Sequence, residues 1–593
     1  MKESNKQTAT MKMLAKVMFR LLPIQILLAT VGAINGILAS YFASNYVGID
    51  AMSAVGLYGP VNQLIMAICT MLMGGSVILC GKYMGRNEQD KLQNVFSVDI
   101  AVSTQISLVF VALFLILGSF NLTGFFTHDR LVRPHFNRYL LGQAIGVLPL
   151  MLGNQLSAFL SMENKGTLTT MASLIYIGVN LVLNVLFVKV LQMGALGLAL
   201  ASSLGLWIFF IVQAQYFLSG KSHLKVRTTG LEWKETGEIL RVGVPGALNN
   251  GYQTARGLIV NWLIEAFVGS MGISAFAAAN NLLAAFWAIP AGMLAVSRMM
   301  ISVSIGEEDR RTLTDVMRVM FRRFVPLMSL VVLLLIACAV PMTRIFFRNP
   351  AEPVYKMTVW GLRILPLCMP LSVICMHFVC YGQSSGKQGL VHILALLDGV
   401  VCVVGFSALL IRPLGLNSVY IANVLNGVVT TLVIVAYAWI KKKGFPRNMD
   451  ELMAIPADFG APDTERMDLS VRNMGEVITI SRRVQDFCRE KGIDERRAYL
   501  AGLAMEEMAG NIVEHGFEKD KKSHSVDVRV VHKNEDVILR LKDDCEPFDP
   551  GERQHLAEGE DPTKNIGIRI VFKTARELEY QNILGMNVLT IRF

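Results

Sequence analysis

The sequence predicts an all-α polytopic membrane protein, twelve transmembrane helices in two six-helix repeats, followed by a two-layer α/β sandwich domain over residues 465–593. Three observations carry this. The chain has 593 residues, 53% of them hydrophobic and 17% charged, which excludes both a soluble globular protein and a disordered one. Within the apolar part a pattern returns after 221 residues without slipping. Val47-Gly48 and Met52-Ser53-Ala54 recur as Val268-Gly269 and Ile273-Ser274-Ala275, and Met84-Gly85 with Leu92 recurs as Ile305-Gly306 with Leu313. Charge then divides the chain: residues 1–449 hold 35 Lys and Arg against 17 Asp and Glu, and residues 450–593 hold 21 against 29. Duplicated membrane halves are a common way to build a central path across a bilayer, so the duplication points to a carrier.

Residues 1–16 are polar and basic and read as a cytoplasmic N-terminus leading into a first helix rather than a cleaved signal peptide. A span needs about 20 mostly apolar residues. Such runs lie near 17–42, 54–80, 95–118, 138–160, 168–190, 195–219, 242–267, 274–303, 324–347, 357–382, 389–411 and 415–440. They give a first bundle at 17–220, a loop at 221–241 and a second bundle at 242–443. Six helices per copy is an even number, so both copies face the same way across an axis along the membrane normal.

Lys and Arg set the orientation. Lys82, Arg86 and Lys91, then Lys221 to Arg241, Arg310 to Arg323, and Lys441 to Lys443 fall on the side of the N-terminus. The opposite loops hold fewer, chiefly Arg130, Arg133, Arg138, Arg344, Arg348 and Arg412. The bias predicts a multi-pass protein of the cell (inner) membrane with both termini cytoplasmic. The same loops account for the basic excess, so the expected partners are the lipid bilayer and a small-molecule substrate, with no nucleic acid. The nine cysteines are scattered through mostly apolar segments and read as small buried hydrophobes.

Polar groups inside spans are the candidates for function. Pro23, Pro60, Pro149, Pro245, Pro290, Pro366 and Pro370 mark either cavity-lining bends or tolerated kinks. Asn180 and Asn184 share a helix face at i, i+4, and Asn250, Gln253 and Arg256 form a polar stripe on the seventh helix; interhelical hydrogen bonding is the plainer role for such amides. Asp99, Glu265 and Asp398 are the membrane carboxylates, and burying one demands a partner or a proton. Glu265 lies late in its helix, where solvation would account for it. Asp398 sits mid-span, as a coupling group or in a structural pair with Arg256, Arg363 or His392.

These features together resemble the multidrug and toxic compound extrusion (MATE) family. The resemblance covers residues 12–443 and rests on the two sixes of helices, the stretch from Val47 to Gly56, and Gly81-Lys82-Tyr83-Met84-Gly85-Arg86-Asn87. Asn180, Asn184 and Gly243-Val244-Pro245 continue it. It implies a V-shaped pair of bundles exporting organic cations in exchange for H⁺ or Na⁺. Two acidic positions that relatives use, in helices 1 and 5, match Ala39 and Asn184 here, and an amide cannot take up a proton near neutral pH. Coupling is therefore expected at Glu265 and Asp398 in the second bundle.

After a linker at 444–464 the pattern becomes that of a soluble domain. A strand is predicted near 465–471, helices at 474–491 and 494–516, strands near 525–533 and 536–543, a helix at 566–577, and strands near 578–583 and 586–593. Glu507 and Asn511 project from one helical face, and a carboxylate beside a carboxamide suits a hydrated magnesium ion and a phosphate. Asp543-Asp544-Cys545 ends a strand in a turn, and Asn565-Ile566-Gly567 opens a helix whose N–H groups suit an anion.

In this order the three motifs resemble the ATP-binding domain of gyrases and histidine kinases, in particular the anti-sigma-factor serine kinases. The resemblance implies ATP and Mg²⁺ as cofactors, with Asn511 on the metal and Glu507 as catalytic base. It also implies Asp543 on the adenine, Asn565 and Gly567 near the phosphates, and a mobile lid over 551–566. Two glycines of that pattern are replaced, by Cys545 and Asn565, and Asn587 reads as a turn residue of the terminal hairpin. The combined expectation is a secondary exporter (antiporter) of small cationic or amphipathic compounds with a regulatory ATP-binding domain. The alternatives are a membrane-anchored serine kinase acting on an anti-sigma-antagonist-like cytoplasmic protein, and a flippase for lipid-linked precursors.

Overall fold

The computed structural model describes residues 2–42, 46–125, 131–227, 230–345, 347, 349–517, 524–533, 536–547, 566–583 and 585–593. Backbone in lipid must satisfy its own N–H and C=O groups, so the apolar runs form helices. The first six are α1 (Lys2–Phe42), α2 (Ile49–Arg86), α3 (Gln89–Ser119), α4 (Val132–Met162), α5 (Gly166–Val190) and α6 (Gly194–Leu218). The second six are α7 (Lys234–Phe267), α8 in two pieces (α8a, Ser270–Ala284; α8b, Ala288–Gly306), α9 (Arg310–Ala337), α10 (Pro353–Ser384), α11 (Gln388–Leu414) and α12 (Asn417–Lys442).

The repeat read in the sequence is a repeat of structure. Ile49 and Ser270, Gln89 and Arg310, and Val132 and Pro353 open matching helices, each pair 221 residues apart. Even the turn after the second helix repeats: Asn87 (φ 58°) and Glu308 (φ 53°), again 221 apart, both adopt the left-handed conformation. Among the described residues eleven helices are long and apolar enough to cross a membrane. α7 fills the remaining place, with Arg241, Gln253 and Arg256 diluting its apolar character. The eighth span is broken at 285–287, just before Pro290, and α10 tightens into a 3₁₀ turn around Pro366. Pro23, Pro60, Pro149 and Pro245 sit within unbroken helices.

The bundles meet along a glycine seam at the end that faces the C-terminal domain. A Cβ built on Gly85 would lie 2.5 Å from the Glu307 nitrogen, and one on Gly306 would lie 2.2 Å from the Lys82 carbonyl oxygen. Gly81 makes room for the Ser302 side chain, and Gly75 and Gly243 bring the backbones of α2 and α7 together with hypothetical contacts of 2.1 and 1.9 Å. Backbone-to-backbone packing of this kind is open only to glycine. Gly85 and Gly306 are repeat-equivalent, so the pseudo-twofold axis passes between them.

Residues 444–464, expected as a linker, are packed against the membrane helices. Arg310 donates to Asp450 from Nε (2.6 Å) and Nη2 (3.0 Å), Lys387 donates to the Ala454 carbonyl, and Lys442 to that of Ile455. The C-terminal domain follows, with β1 (Arg466–Val471), α13 (Met474–Glu490), α14 (Glu495–Asn511), β2 (Val526–Lys533), β3 (Asp536–Asp543), α15 (Ile566–Thr574), β4 (Glu577–Ile583) and β5 (Met586–Arg592). Each of the first two helices starts at a capping side chain, Asn473 accepting from the Glu476 N–H and Asp494 from that of Arg497. The five strands form one antiparallel sheet in the order β1-β2-β3-β5-β4.

Period-two alternation sorts the strand residues by face. Val526, Val528, Val530, Val537, Leu539, Leu541 and Ile591 meet the helices in the domain core. Ile583, Met586 and Val588 point the other way and join the hydrophobic cluster of the membrane bundles. The sheet therefore has a helix-covered face and a face seated on the transmembrane part.

Gly306→Leu is expected to cost roughly 1–3 kcal/mol or more by overpacking the seam. Gly405, whose added Cβ would meet nothing within 4 Å, is the control. Thermal inactivation midpoints of the detergent-solubilised protein test this, and equal midpoints for Gly306→Leu and Gly405→Leu would refute the seam.

Candidate functional site

The N-terminal bundle encloses a cavity of about 690 Å³ reached by α1, α2, α4, α5, α6 and α8b. Tyr58, Tyr139, Tyr176, Phe209 and several methionines supply apolar and aromatic wall, and Gln25, Asn62, Gln143 and Asn154 supply neutral hydrogen-bonding groups. Among the described lining residues the only formal charge is Arg298, whose Nε is buried without an acceptor. Ala39, at the position where the resemblance implied an aspartate, is part of this wall.

The C-terminal bundle holds a smaller cavity of about 330 Å³. Gln253, Arg256, Asn280, Ser372, Asp398, Asn423 and Asn426 bring polar groups to it. Asp398 lies in a π turn of α11 (Leu397–Val401), a distortion that re-aims side chains and often occurs at functional positions. Its Oδ1 accepts from Asn426 Nδ2 at 2.8 Å, while Arg256 Nη1 donates to the Asp398 backbone carbonyl at 3.2 Å. Of the partners expected for this carboxylate, Arg256 is thus present but bonds the backbone, and the side-chain partner is Asn426.

The other membrane candidates lie apart from these cavities. Asn184 donates to the Asn180 side chain (2.7 Å) and carbonyl (2.8 Å), so this buried pair bonds within α5. Asp99 is fully buried, with Ser76 donating to Oδ1 at 2.7 Å and no donor reaching Oδ2 among the described residues. Glu265 is exposed near the end of α7, and the side chain of Asn250 is outside the described residues.

In the C-terminal domain α14 packs against both α15 and β3, which gathers the three motifs. Asn511 donates through Nδ2 to the Glu507 carbonyl at 2.7 Å, which orients its amide oxygen with no hydrogen bond to it among the described residues. Burial, with the neighbouring Glu506 charge, pushes the Glu507 carboxyl up, as suits a base. Gly567 sits directly on Glu507: an added Cβ would lie 1.8 Å from Oε2. Asp543 is buried, which pushes its carboxyl up, and its Oδ1 accepts from Asn587 Nδ2 (2.8 Å) and the Cys545 N–H (2.9 Å). Asn565 and most of the expected lid lie outside the described residues.

Asn587 is not the turn residue the sequence suggested. It lies in β5 opposite Asp543, is buried, and also donates to the Cys545 and Glu546 carbonyls while accepting from Tyr580 and Asn582. The strand alternation that aims it inward was legible; its partner across the sheet was not.

The chain matches the MatE family over residues 25–186 and 245–407, more than half its length and once per repeat. It is a MatE family protein. Residues 472–593 of this MatE protein match the histidine kinase-like ATPase domain. Among curated relatives, the probable multidrug resistance protein NorM of Bacillus subtilis is 26% identical over 37% of this chain and 47% of its own length. Probable multidrug resistance protein YpnP of the same organism is 23% identical over 46% of this chain and 61% of its own. The chain thus aligns with roughly half to three-fifths of these relatives. A multidrug resistance MATE transporter solved in an outward-facing conformation superposes with a TM-score of 0.66 at 19% identity, over 74% of this chain and 97% of that one. A MOP superfamily transporter from Pyrococcus furiosus, described as having a binding pocket of reverse polarity, gives 0.65 at 20% identity over 74% and 96%.

Asn587→Ala is expected to destabilise the C-terminal domain by about 1–3 kcal/mol, because it leaves buried acceptors and donors unmatched. Protease resistance of that domain in the full chain measures this, and an unchanged digestion rate would show that the buried hydrogen bonds of Asn587 do not hold the domain together.

Proposed function

We propose that this protein is a secondary active exporter of small amphipathic organic molecules, with a cytoplasmic ATP-binding domain that regulates it. The cavity of the N-terminal bundle carries the reading, because its size fits a drug-sized molecule and its wall is aromatic, thioether and amide in character. Its chemistry favours an uncharged or anionic substrate over the cation that the sequence suggested. A cation would find no carboxylate among the described lining residues, whereas an acidic group would find Arg298. A lipid-linked precursor flippase would need a more cationic cavity.

The coupling ion, H⁺ or Na⁺, is assigned to Asp398. Of Asp99, Glu265 and Asp398 it is the one that lines a cavity among the described residues, and Asn426, Asn423, Ser372 and Gln253 offer further oxygen atoms there. Lys and Arg on the tail-side loops support a cytoplasmic C-terminal domain in the inner membrane. ATP is a regulator in this reading and not a motor, since the sequence has no GxxxxGK[ST] phosphate loop. The domain's residues fit the nucleotide. Asp543, held by Asn587, suits the adenine amino group, Asn511 offers an oxygen to Mg²⁺, and Gly567 allows the backbone to approach closely. The placement of Glu507 one helical turn before Asn511 and against Gly567, with its carboxyl pushed up by burial, is the observation that favours a second activity, phosphorylation of an anti-sigma-antagonist-like protein.

Asp398→Asn is expected to abolish ion-driven export in proteoliposomes while leaving the thermal midpoint unchanged; wild-type export would sink the coupling assignment. Arg298→Gln is expected to slow export of an anionic dye about tenfold, the effect of losing one charge-assisted contact, with an uncharged dye unaffected. Equal loss for both dyes would make Arg298 structural. Asn511→Ala is expected to remove the magnesium-dependent part of ATP affinity in calorimetry on the full chain, and unchanged affinity in magnesium buffer would remove that residue from the site.

A further inference from the structure

The sheet face turned toward the membrane carries a basic strip on its central strands, Arg529 on β2 with Arg540 and Lys542 on β3. That strip lies on the acidic turn between α8b and α9. Arg529 pairs with Asp309 at 2.7 Å, and Lys542 pairs with Glu307 and, at 3.4 Å, with Asp309. The Glu307 and Asp309 side chains are 2% and 6% exposed. Burial alone would raise the Asp309 carboxyl; the Arg529 and Lys542 charges and the Thr312 hydrogen bonds outweigh it and hold the group well below the carboxylate range.

The same domain also grips the first bundle. Gln581 donates to Asn87 in the repeat-equivalent turn, Arg20 of α1 donates to the Gly585 carbonyl at 3.2 Å, and Lys16 of α1 pairs with Asp544 at 2.6 Å. One rigid sheet is therefore tied to both bundles, on the two turns that flank the Gly85–Gly306 seam.

We propose that the C-terminal domain is an intramolecular clamp that keeps the tail-side ends of the two bundles together, and that it must let go of the 307–309 turn before a path to that side opens. This rests on reading the chain as an alternating-access carrier, in which the bundles separate on one side at a time. Helices packed backbone to backbone at the seam cannot part while a five-stranded sheet is ion-paired to one side and hydrogen-bonded to the other. The clamp surface is also joined to the nucleotide site. Asp543 faces Asn587 on the helix-covered side, and the next residue, Asp544, holds Lys16 of α1 and His524. A ligand at Asp543 lies one peptide unit from the grip on α1.

Ser302, fully buried under Gly81, serves as the reporter of seam opening. Ser302→Cys is placed in the full chain with its nine native cysteines replaced by serine. It is probed in inside-out vesicles with a membrane-impermeant maleimide. Labelling is expected to be slow, and to rise about tenfold or more when Lys542→Glu or Lys16→Ala breaks a grip. Adding Glu307→Lys to Lys542→Glu restores an opposite-sign pair and is expected to return the rate toward the starting value. Asp309 is left untouched because it also caps α9 through the Thr312 N–H. Should Lys542→Glu fail to fold, Lys16→Ala, at a partly exposed side chain, decides alone. Unchanged labelling in the folded variants overturns the clamp, even if dye export is normal and the carrier reading stands. Faster labelling that the added Glu307→Lys reverses supports the clamp, and if no dye is then exported it is the carrier reading that falls.

Discussion

Two helices can bring their backbones into contact only where neither presents a side chain, and the membrane part is built around one such crossing. Gly85 on α2 and Gly306 on α8b form it, Gly81 seats the Ser302 side chain beside it, and Gly75 with Gly243 draws α7 into the same contact. The crossing closes the tail-facing end of the molecule and leaves the two cavities in the bundles on either side. It also levels the two turns beyond it, Asn87 on one side and Glu308 on the other, into a platform. The C-terminal sheet rests on that platform. Had α2 and α8b carried ordinary side chains here, neither the closure nor the seat for the domain would exist.

Much of this was legible because the duplication is written without slip: a 221-residue offset in residue identities became the same offset in helix starts. The soluble domain was legible because its strands alternate and its helices begin at Asn473 and Asp494, side chains that cap. Other features depended on distant parts of the chain. Arg529, Arg540 and Lys542 alternate with valine and leucine as any solvated strand face would, so nothing local announces the acidic turn they meet. Asn426 as the partner of Asp398, Arg298 as the cavity's charge and Asn587 as the partner of Asp543 all require the helices and strands to be in place. Residues 444–464 read as a tether because they contain Pro and acids, yet Asp450 is held by Arg310, far back in the chain.

The charges act at two ranges. Over the whole molecule a basic membrane part faces an acidic tail, an attraction that salt would weaken. On the central strands the signs are exchanged, with Arg529 and Lys542 of the acidic domain meeting Asp309 and Glu307, while Lys16–Asp544 and Arg310–Asp450 keep the sense of the long-range field. The buried pairs are screened far less than the long-range field, and they set register where the field only sets proximity.

The platform has a near-twofold axis, and the domain seated on it has none. A perfectly symmetric pair of turns would let the domain settle in two orientations half a revolution apart. The repeats avoid this by reversing the charge at the head of the turn: Arg86 in the first copy corresponds to Glu307 in the second. A sheet with a basic strip is repelled by one and held by the other. Opposite charge at equivalent sites thus turns an ancestral symmetry into a single seating, and it gives two structurally matched halves different tasks, one forming the socket and the other the stop.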